Sequence, residues 1–290
     1  MLLTSALLSG IGLGAMYGLI ALGFHLTYSV SNTVNFAQGS TVMLGAVLGY
    51  TFIVTMGIPF WIAIPLALVG CAILGLLVER ILVRPFVERG SDSWLMATVA
   101  GGILLDNAVL FTFGKEPRSL PSALASQPVE VLGVGVYPLQ LVIPVVGLVI
   151  AILLQLVFRR TQLGKVMLAV VQNCEAARLM GINAHAVVAI SFAIAAVLAG
   201  IAGLLIAPLF SVHSEMGMLF GLKGFAVAIL GGITSAPGVI IAGLLYGVIE
   251  ALVTAYLGST YTQIVVFSVI ILALALMPNG LLGRAAVSKV

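Results

Sequence analysis

The sequence contains very little charge. Asp, Glu, Lys and Arg make up only 7% of its 290 residues, whereas 62% are hydrophobic. Such a chain has too little polar surface to cover a globule of this size, which excludes a water-soluble domain. No Lys or Arg precedes the first apolar run, and that run is longer than the core of a secretory signal. We therefore expect an all-α membrane protein that keeps its first helix.

Cysteine and the usual catalytic motifs are also scarce or missing. Cys71 and Cys174 lie in a predicted span and in a polar segment, so we expect neither a disulfide framework nor a cysteine metal site. The nucleophile elbow, the zinc helix and the phosphate loop do not occur. We expect no catalytic, cofactor or metal-binding residues. Transport would then need an ion gradient or a separate ATP-hydrolysing subunit. An ion-coupled carrier needs ionisable residues deep in several helices, and only Asp106 and Glu250 could serve, which favours the separate subunit.

Long apolar segments dominate what the sequence does contain. About 20 apolar residues in a helix cross the hydrocarbon layer of a membrane. We expect a polytopic transmembrane bundle of eight to nine crossings that forms one domain, residues 1–290. The eight predicted spans are Leu2–Tyr28, Phe36–Met56, Phe60–Val78, Trp94–Phe113, Leu139–Phe158, Val187–Leu209, Val239–Tyr256 and Gln263–Leu282.

The positions of Lys and Arg predict the orientation, because short cytoplasmic loops hold an excess of both. Glu79–Ser93 and Arg159–Ala186 are rich in them and are predicted to lie inside. Gly114–Pro138 holds only two, and Phe210–Phe220 holds none. We predict that these two segments lie outside.

The C-terminal tail, with Arg284 and Lys289, is also predicted to lie inside, which eight simple crossings do not allow. Gly221–Ile233 supplies a short ninth crossing, followed by a Gly- and Pro-rich run at 231–238. Broken helices at membrane depth line cavities or binding sites in transporters. A plain polar turn between two helices is the alternative.

A similar interruption at Ser31–Ser40 comes before another apolar run. Each interruption is followed by glycines four residues apart, first Gly45 and Gly49, then Gly243 and Gly247. This small-xxx-small spacing lets helices approach closely. The two matching breaks suggest an internal repeat, although 33 glycines make such spacings common by chance.

Three residues of the Asp, Glu, Lys and Arg types fall in the predicted membrane segments, where a charge costs about 2.5 to 3.5 kcal/mol. Asp106 either reaches toward the outer interface or serves a function. Lys223 and Glu250 flank the broken segment, and they could pair, line a passage or sit at interfaces. The sequence does not separate these alternatives.

The segment 159–187 is polar, and its centre has helix formers closed by a glycine. Residues 164–183 resemble the cytoplasmic loop of permease subunits of ATP-binding-cassette importers, where a Glu-Ala-Ala…Gly motif forms the coupling helix. The whole chain is most similar to the smaller of the two bacterial branched-chain amino acid permeases, except that Gly224 stands where that family more often has Ala. The other matching blocks are residues 14–23, 34–39, 79–85, 221–225, 230–233, 237–238 and 277–284.

The resemblance implies that this loop docks on an ATPase, whereas the alternative is a merely solvated basic loop. A short helix around Glu175–Leu179 would be closed by Gly181 in the left-handed conformation. Glu175 and Arg178 would form its polar rim. The apolar docking surface would comprise Ala176, Ala177, Leu179 and Met180.

The resemblance also implies the partners and the cargo. The permease would lie in the lipid bilayer of the bacterial inner membrane, with a second permease, two cytoplasmic ATPases and a periplasmic binding protein, and would bind no nucleic acid. The expected cargo is a branched-chain amino acid, although urea and short-chain amide importers use similar permeases. An ion-coupled secondary transporter is the remaining alternative. We predict that the translocation path runs near Asn35, Gln38, Lys223 and Ser235, which accompany the broken segments.

Overall fold

A computed structural model describes residues 2–131, 134–277 and 279–283. Eight helices in this part of the chain are long and apolar enough to cross a membrane. They are α1 (Leu2–Ser31), α2 (Gln38–Tyr50) with its continuation to Thr55, α3 (Phe60–Leu77) with its continuation to Val87, α5 (Trp94–Phe113), α6 (Pro138–Arg160), α9 (Ala184–Ile206), α11 (Ala236–Leu257) and α12 (Ser259–Leu276). The predicted polytopic helical bundle is confirmed. The last helix begins and ends earlier than predicted, because Gly258 precedes its first turn and the chain leaves the helix at Met277.

Shorter elements connect these helices. Thr51–Thr55 extends α2 and Val78–Val83 extends α3, both as π-helix. The remaining helices are α4 (Arg84–Val87), α7 (Gln162–Gln172), α8 (Cys174–Leu179) and α10 (Met216–Gly231). The predicted outer segment before α6 holds a short 3-10 turn and an antiparallel hairpin, β1 (Val129–Val131) and β2 (Val134–Val136).

The chain forms two compact units. The first contains residues up to His25, Pro121–Leu148, and the chain from Lys223 onward. The second contains Leu26–Leu120 and Val149–Leu222.

Helices α2, α3 and α9 pack closely in the second unit because small residues lie at their contacts. A Cβ atom added to Gly45 would lie 2.6 Å from the Cα of Gly200, and one added to Gly200 would lie 2.7 Å from the Sγ of Cys71. A Cβ on Gly75 would lie 2.5 Å from the carbonyl oxygen of Phe192. Only glycine fits where an added Cβ would meet its neighbours this closely.

Helices α1 and α11 meet in the same way in the first unit. A Cβ added to Gly14 would lie 2.6 Å from the carbonyl oxygen of Gly243, and one added to Gly10 would lie 2.7 Å from the Cα of Val248. Gly247 likewise packs against the backbone of Gly10 and Gly14. The predicted close approach at both glycine pairs is therefore confirmed, whereas the internal repeat stays a prediction.

Both predicted interruptions are present. The chain leaves α1 at Ser31, passes through Asn32 with a left-handed φ of 55°, and enters α2 at Gln38. The second interruption separates α10 from α11 at residues 232–235, where Gly232 has a φ of 87°. Each break is thus a non-helical stretch that contains one residue of positive φ.

Helix α10 begins at Met216, earlier than the predicted crossing, so part of the predicted outer segment Phe210–Phe220 is helical. Its 16 residues span about 24 Å, less than the roughly 30 Å of the hydrocarbon layer.

Residues that follow α12 cap the end of α10. The backbone N–H groups of Leu281 and Leu282 donate to the carbonyl oxygens of Leu230 and Gly231, at 2.8 and 3.2 Å. Carbonyl groups at the end of a helix have no partner within it, and at membrane depth each needs one from elsewhere. We call the segment Asn279–Gly283 the C-terminal turn.

Contacts within the second unit group the connecting segments by side. Nδ1 of His185 lies 3.7 Å from a carboxylate oxygen of Glu88, which joins two of the segments predicted to lie inside. Arg118 and Val212 exchange two backbone hydrogen bonds, which joins the two segments predicted to lie outside. Each pair therefore shares a side, while the assignment of inside and outside stays a prediction. The tail residues Arg284 and Lys289 lie outside the described residues.

Candidate functional site

The polar loop between α6 and α9 contains two helices, of which sequence analysis predicted only the second. In α7, Gly164, Met167 and Val170 are buried at helical spacing. The last two pack in one apolar cluster with Leu26 and Val30 at the end of α1. The apolar residues three apart in the sequence were the available signal for this helix. Helix α7 therefore fixes the loop to the helical bundle.

Helix α8 begins where the sequence supplies a cap. The side-chain oxygen of Asn173 accepts a hydrogen bond from the N–H of Ala176 at 3.0 Å. Asparagine is among the best residues for this position, because it satisfies an N–H group that the helix itself cannot.

A Schellman motif ends α8. The N–H of Ile182 donates to the carbonyl of Ala177, and the N–H of Gly181 donates to the carbonyl of Arg178, both at 3.0 Å. Gly181 has a φ of 83°, in the left-handed region that favours glycine. The predicted short helix and its closing glycine are both confirmed.

The side chains of α8 divide into one buried anchor and one exposed face. Ala177 was expected on the docking surface, but it is only 4% exposed because it packs in the apolar cluster with Leu26 and Val30. Leu179 and Met180 are 89% and 83% exposed. The other exposed members are Glu175, Ala176, Arg178 and Gly181. We call these six exposed residues the docking face.

The first break carries two of the predicted path residues, both almost fully buried. The side-chain oxygen of Asn35 accepts from the N–H of Ala37 at 3.1 Å. Nε2 of Gln38 donates to the carbonyl oxygen of Ala195 at 2.9 Å, near the middle of α9. The first break therefore lies beside the middle of α9, a helix long enough and apolar enough to cross a membrane.

The other two predicted path residues belong to the first unit. Ser235 caps α11, because its hydroxyl accepts from the N–H of Gly238 at 3.3 Å. Nζ of Lys223 lies 2.5 Å from a carboxylate oxygen of Glu250. The sequence left it open whether Lys223 and Glu250 pair, line a passage or sit at interfaces, and the structure shows that they pair. The four path residues thus fall in two groups, one in each unit.

Asp106 is partly buried in α5, one turn after Gly102, which packs against Ala37 and Ser40 of the first break. Its Oδ1 atom is buried and has no hydrogen-bond partner among the described residues. Asp106 therefore faces the break more than the outer interface.

Known proteins similar to this chain are transport proteins. A family model described as the permease component of the branched-chain amino acid transport system matches residues 6–274. The high-affinity branched-chain amino acid transport system permease protein LivH of Salmonella typhimurium is 34% identical, over 97% of this chain and 96% of the relative. The corresponding protein BraD of Pseudomonas aeruginosa is 32% identical, over 98% and 97%. A probable branched-chain amino acid transport permease protein LivH of Methanocaldococcus jannaschii is 28% identical, over 91% and 88%.

A solved structure shares the fold. PsaBC from Streptococcus pneumoniae in complex with Fab aligns with a TM-score of 0.52 at 13% sequence identity. The alignment covers 94% of this chain and 91% of the other.

Proposed function

Because the chain belongs to the permease-component family of branched-chain amino acid transport systems, we propose that it is the membrane subunit of an ATP-binding-cassette importer. It carries branched-chain amino acids across the bacterial inner membrane. A second permease, two cytoplasmic ATPases and a periplasmic binding protein complete the importer.

The docking face is the observation that supports this proposal most. Leu179 and Met180 stand almost fully exposed on a polar loop, at the end of a helix capped at both ends. Burying one large apolar side chain in a partner contributes about 1.5 to 3 kcal/mol. Two such side chains, held in place by a rigid turn, are more stable when buried in a groove of a partner than when exposed to water.

Charge and anchoring complete the proposed coupling element. Glu175 and Arg178 flank the apolar pair and orient it at the polar rim of the interface. Buried Ala177 ties α8 to α7 and to the end of α1. A push from the ATPase on the docking face would therefore reach α1 through packed side chains.

The translocation path in this proposal passes near Asn35, Gln38, Lys223 and Ser235. Polar side chains at membrane depth are costly and are usually kept for substrate or ion pathways. Buried Asn35 and Gln38 at the first break meet that description.

The docking proposal is tested by placing a charge on the apolar pair. We expect Leu179→Asp with Met180→Asp to abolish copurification of the ATPase with the permease, because a desolvated carboxylate opposes the interface. Val87→Asp is the matched control, since Val87 is exposed and precedes Glu88, which contacts the same loop through His185. This control should retain the ATPase.

Full ATP hydrolysis and uptake in the Leu179→Asp, Met180→Asp importer would contradict the docking face.

The substrate is tested in proteoliposomes with all partner subunits, by comparing the uptake of radiolabelled leucine with that of urea. ATP-dependent uptake of urea without leucine would contradict the amino acid assignment.

A further inference from the structure

Four polar side chains form a buried cluster in the first unit. Tyr17, Lys223, Tyr246 and Glu250 are 1%, 7%, 2% and 8% exposed. They come from the central parts of α1, α10 and α11, at depths where polar groups are costly and usually functional. We call these four residues the polar cluster.

Lys223 holds the polar cluster together. Its Nζ donates to one carboxylate oxygen of Glu250 at 2.5 Å and to the hydroxyl of Tyr17 at 3.2 Å. It also lies 5.5 Å from the centre of the Tyr17 ring, within range of a cation–π contact. The rings of Tyr17 and Tyr246 meet edge to face at 5.2 Å. An ammonium group has three donors, so one N–H remains for a further acceptor.

Two oxygen atoms of the polar cluster lack a hydrogen-bond partner in the described chain. The second carboxylate oxygen of Glu250 and the hydroxyl of Tyr246 are buried and have no hydrogen-bond partner in the described chain. The two residues are four apart in α11, which places them on the same face of the helix, one turn apart. Buried polar atoms are normally hydrogen-bonded. A carboxylate oxygen only accepts and a tyrosine hydroxyl accepts or donates, so a ligand that donates hydrogen bonds would satisfy both atoms.

The charges of the polar cluster limit which class of ligand can bind there. The lysine and the glutamate neutralise each other, so a lone cation or anion would leave a net charge inside the membrane. A zwitterion adds no net charge. The ammonium group of a zwitterion supplies three hydrogen-bond donors, and its carboxylate accepts a hydrogen bond from the remaining N–H of Lys223.

We propose that the polar cluster is a subsite for the charged groups of a free amino acid. The ammonium binds the Glu250 carboxylate and the Tyr246 hydroxyl, and the carboxylate binds Nζ of Lys223. The lysine–glutamate pair stays intact. This inference rests on the proposed function, because an importer of amino acids must shelter both charges at membrane depth.

Tyr246→Phe gives the sharpest test, because it removes a hydroxyl group that makes no hydrogen bond to the described residues. Uptake is measured in proteoliposomes of the complete importer with leucine-loaded binding protein. We expect kcat/KM to fall roughly ten- to 150-fold, the effect of one lost hydrogen bond to a charged group. Tyr256→Phe is the matched control on the same helix, since Tyr256 is 61% exposed, and it should match the wild type.

A second measurement separates binding from stability. Leucine should raise the melting temperature of the purified importer without its binding protein, whereas 4-methylpentanoate and 3-methylbutylamine, which each lack one charge, should not. The Tyr246→Phe variant should melt like the wild type when no ligand is present and respond less to leucine.

The outcomes distinguish the subsite from the proposed function. Wild-type uptake in Tyr246→Phe, beside an active wild-type importer, would overturn the subsite and leave the function standing. Equal stabilisation by leucine and 4-methylpentanoate would overturn the role of the ammonium. A complete importer that takes up no branched-chain amino acid would overturn the proposed function and the subsite with it.

Discussion

Replacing Gly181 by valine tests whether the shape of α8 transmits the work of an ATPase. Gly181 has a φ of 83°, and apart from its own chain neighbours no atom of the described residues lies within 4 Å of the place where a Cβ would stand. The cost of the valine is therefore backbone strain and not a steric clash. The strain falls on the two hydrogen bonds of the Schellman motif, which hold the end of the helix.

The size of this strain can be compared with the stability of the helix. A left-handed conformation costs about 1 to 2 kcal/mol for a residue with a Cβ, and up to about 3 kcal/mol at the unfavourable end. A cost of about 2 kcal/mol changes a conformational equilibrium roughly thirtyfold. Helix α8 has six residues, and helices this short do not hold their shape without caps. We therefore expect the docking face to lose its ordered conformation while the bundle stays folded.

The assay is ATP hydrolysis by the reconstituted importer, stimulated by loaded binding protein. We expect Gly181→Val to lower the stimulation at least about tenfold, which is the change that about 1.4 kcal/mol produces. Gly181→Asn should retain part of it, because asparagine tolerates the left-handed region. Gly90 provides the control, since it has a φ of 66° and equally open surroundings on another connecting segment. Full stimulation in Gly181→Val, or an equal loss in Gly90→Val, would refute the coupling role of this turn.

Two further predictions concern the bundle itself. Lys223→Met alone should lower the free energy of unfolding by about 3 to 5 kcal/mol, because it leaves the Glu250 carboxylate buried without its partner. Lys223→Met with Glu250→Met should cost much less, and equal losses in denaturant titrations of the two variants would show that the pair is not coupled. Gly45→Val should lower stability by about 1 to 3 kcal/mol or more, because its Cβ meets the backbone of α9. An unchanged melting temperature for Gly45→Val would contradict the close packing of α2 on α9.

Sequence patterns predicted those parts of the fold that depend on local composition. The eight spans follow from the length of apolar runs, and the breaks follow from Asn, Gly and Pro at fixed positions. The end of α8 follows from one glycine after a short run of helix formers. None of these features needs knowledge of what lies across the bundle.

Features that depend on distant contacts could not be predicted in this way. The sequence left three roles open for Lys223, and only the arrangement of α10 against α11 brings it to Glu250. Ala177 looked like its exposed neighbours because the sequence does not show that Leu26 and Val30 lie beneath it. Helix α7 is not predicted, because the segment 159–187 is polar as a whole, although the buried residues of this helix have helical spacing.

The C-terminal turn has a consequence for the order in which the chain reaches its final state. Proteins are synthesised from the N-terminus, so α10 is made before α11, α12 and the turn. Until Leu281 and Leu282 have been added, the carbonyls of Leu230 and Gly231 lack the donors that they have in the finished protein. The end of α10 can therefore reach its final hydrogen-bonded conformation only after α11 and α12 have been made. Leu281 and Leu282 thus complete the hydrogen bonding at the end of α10, which every earlier step of synthesis leaves open.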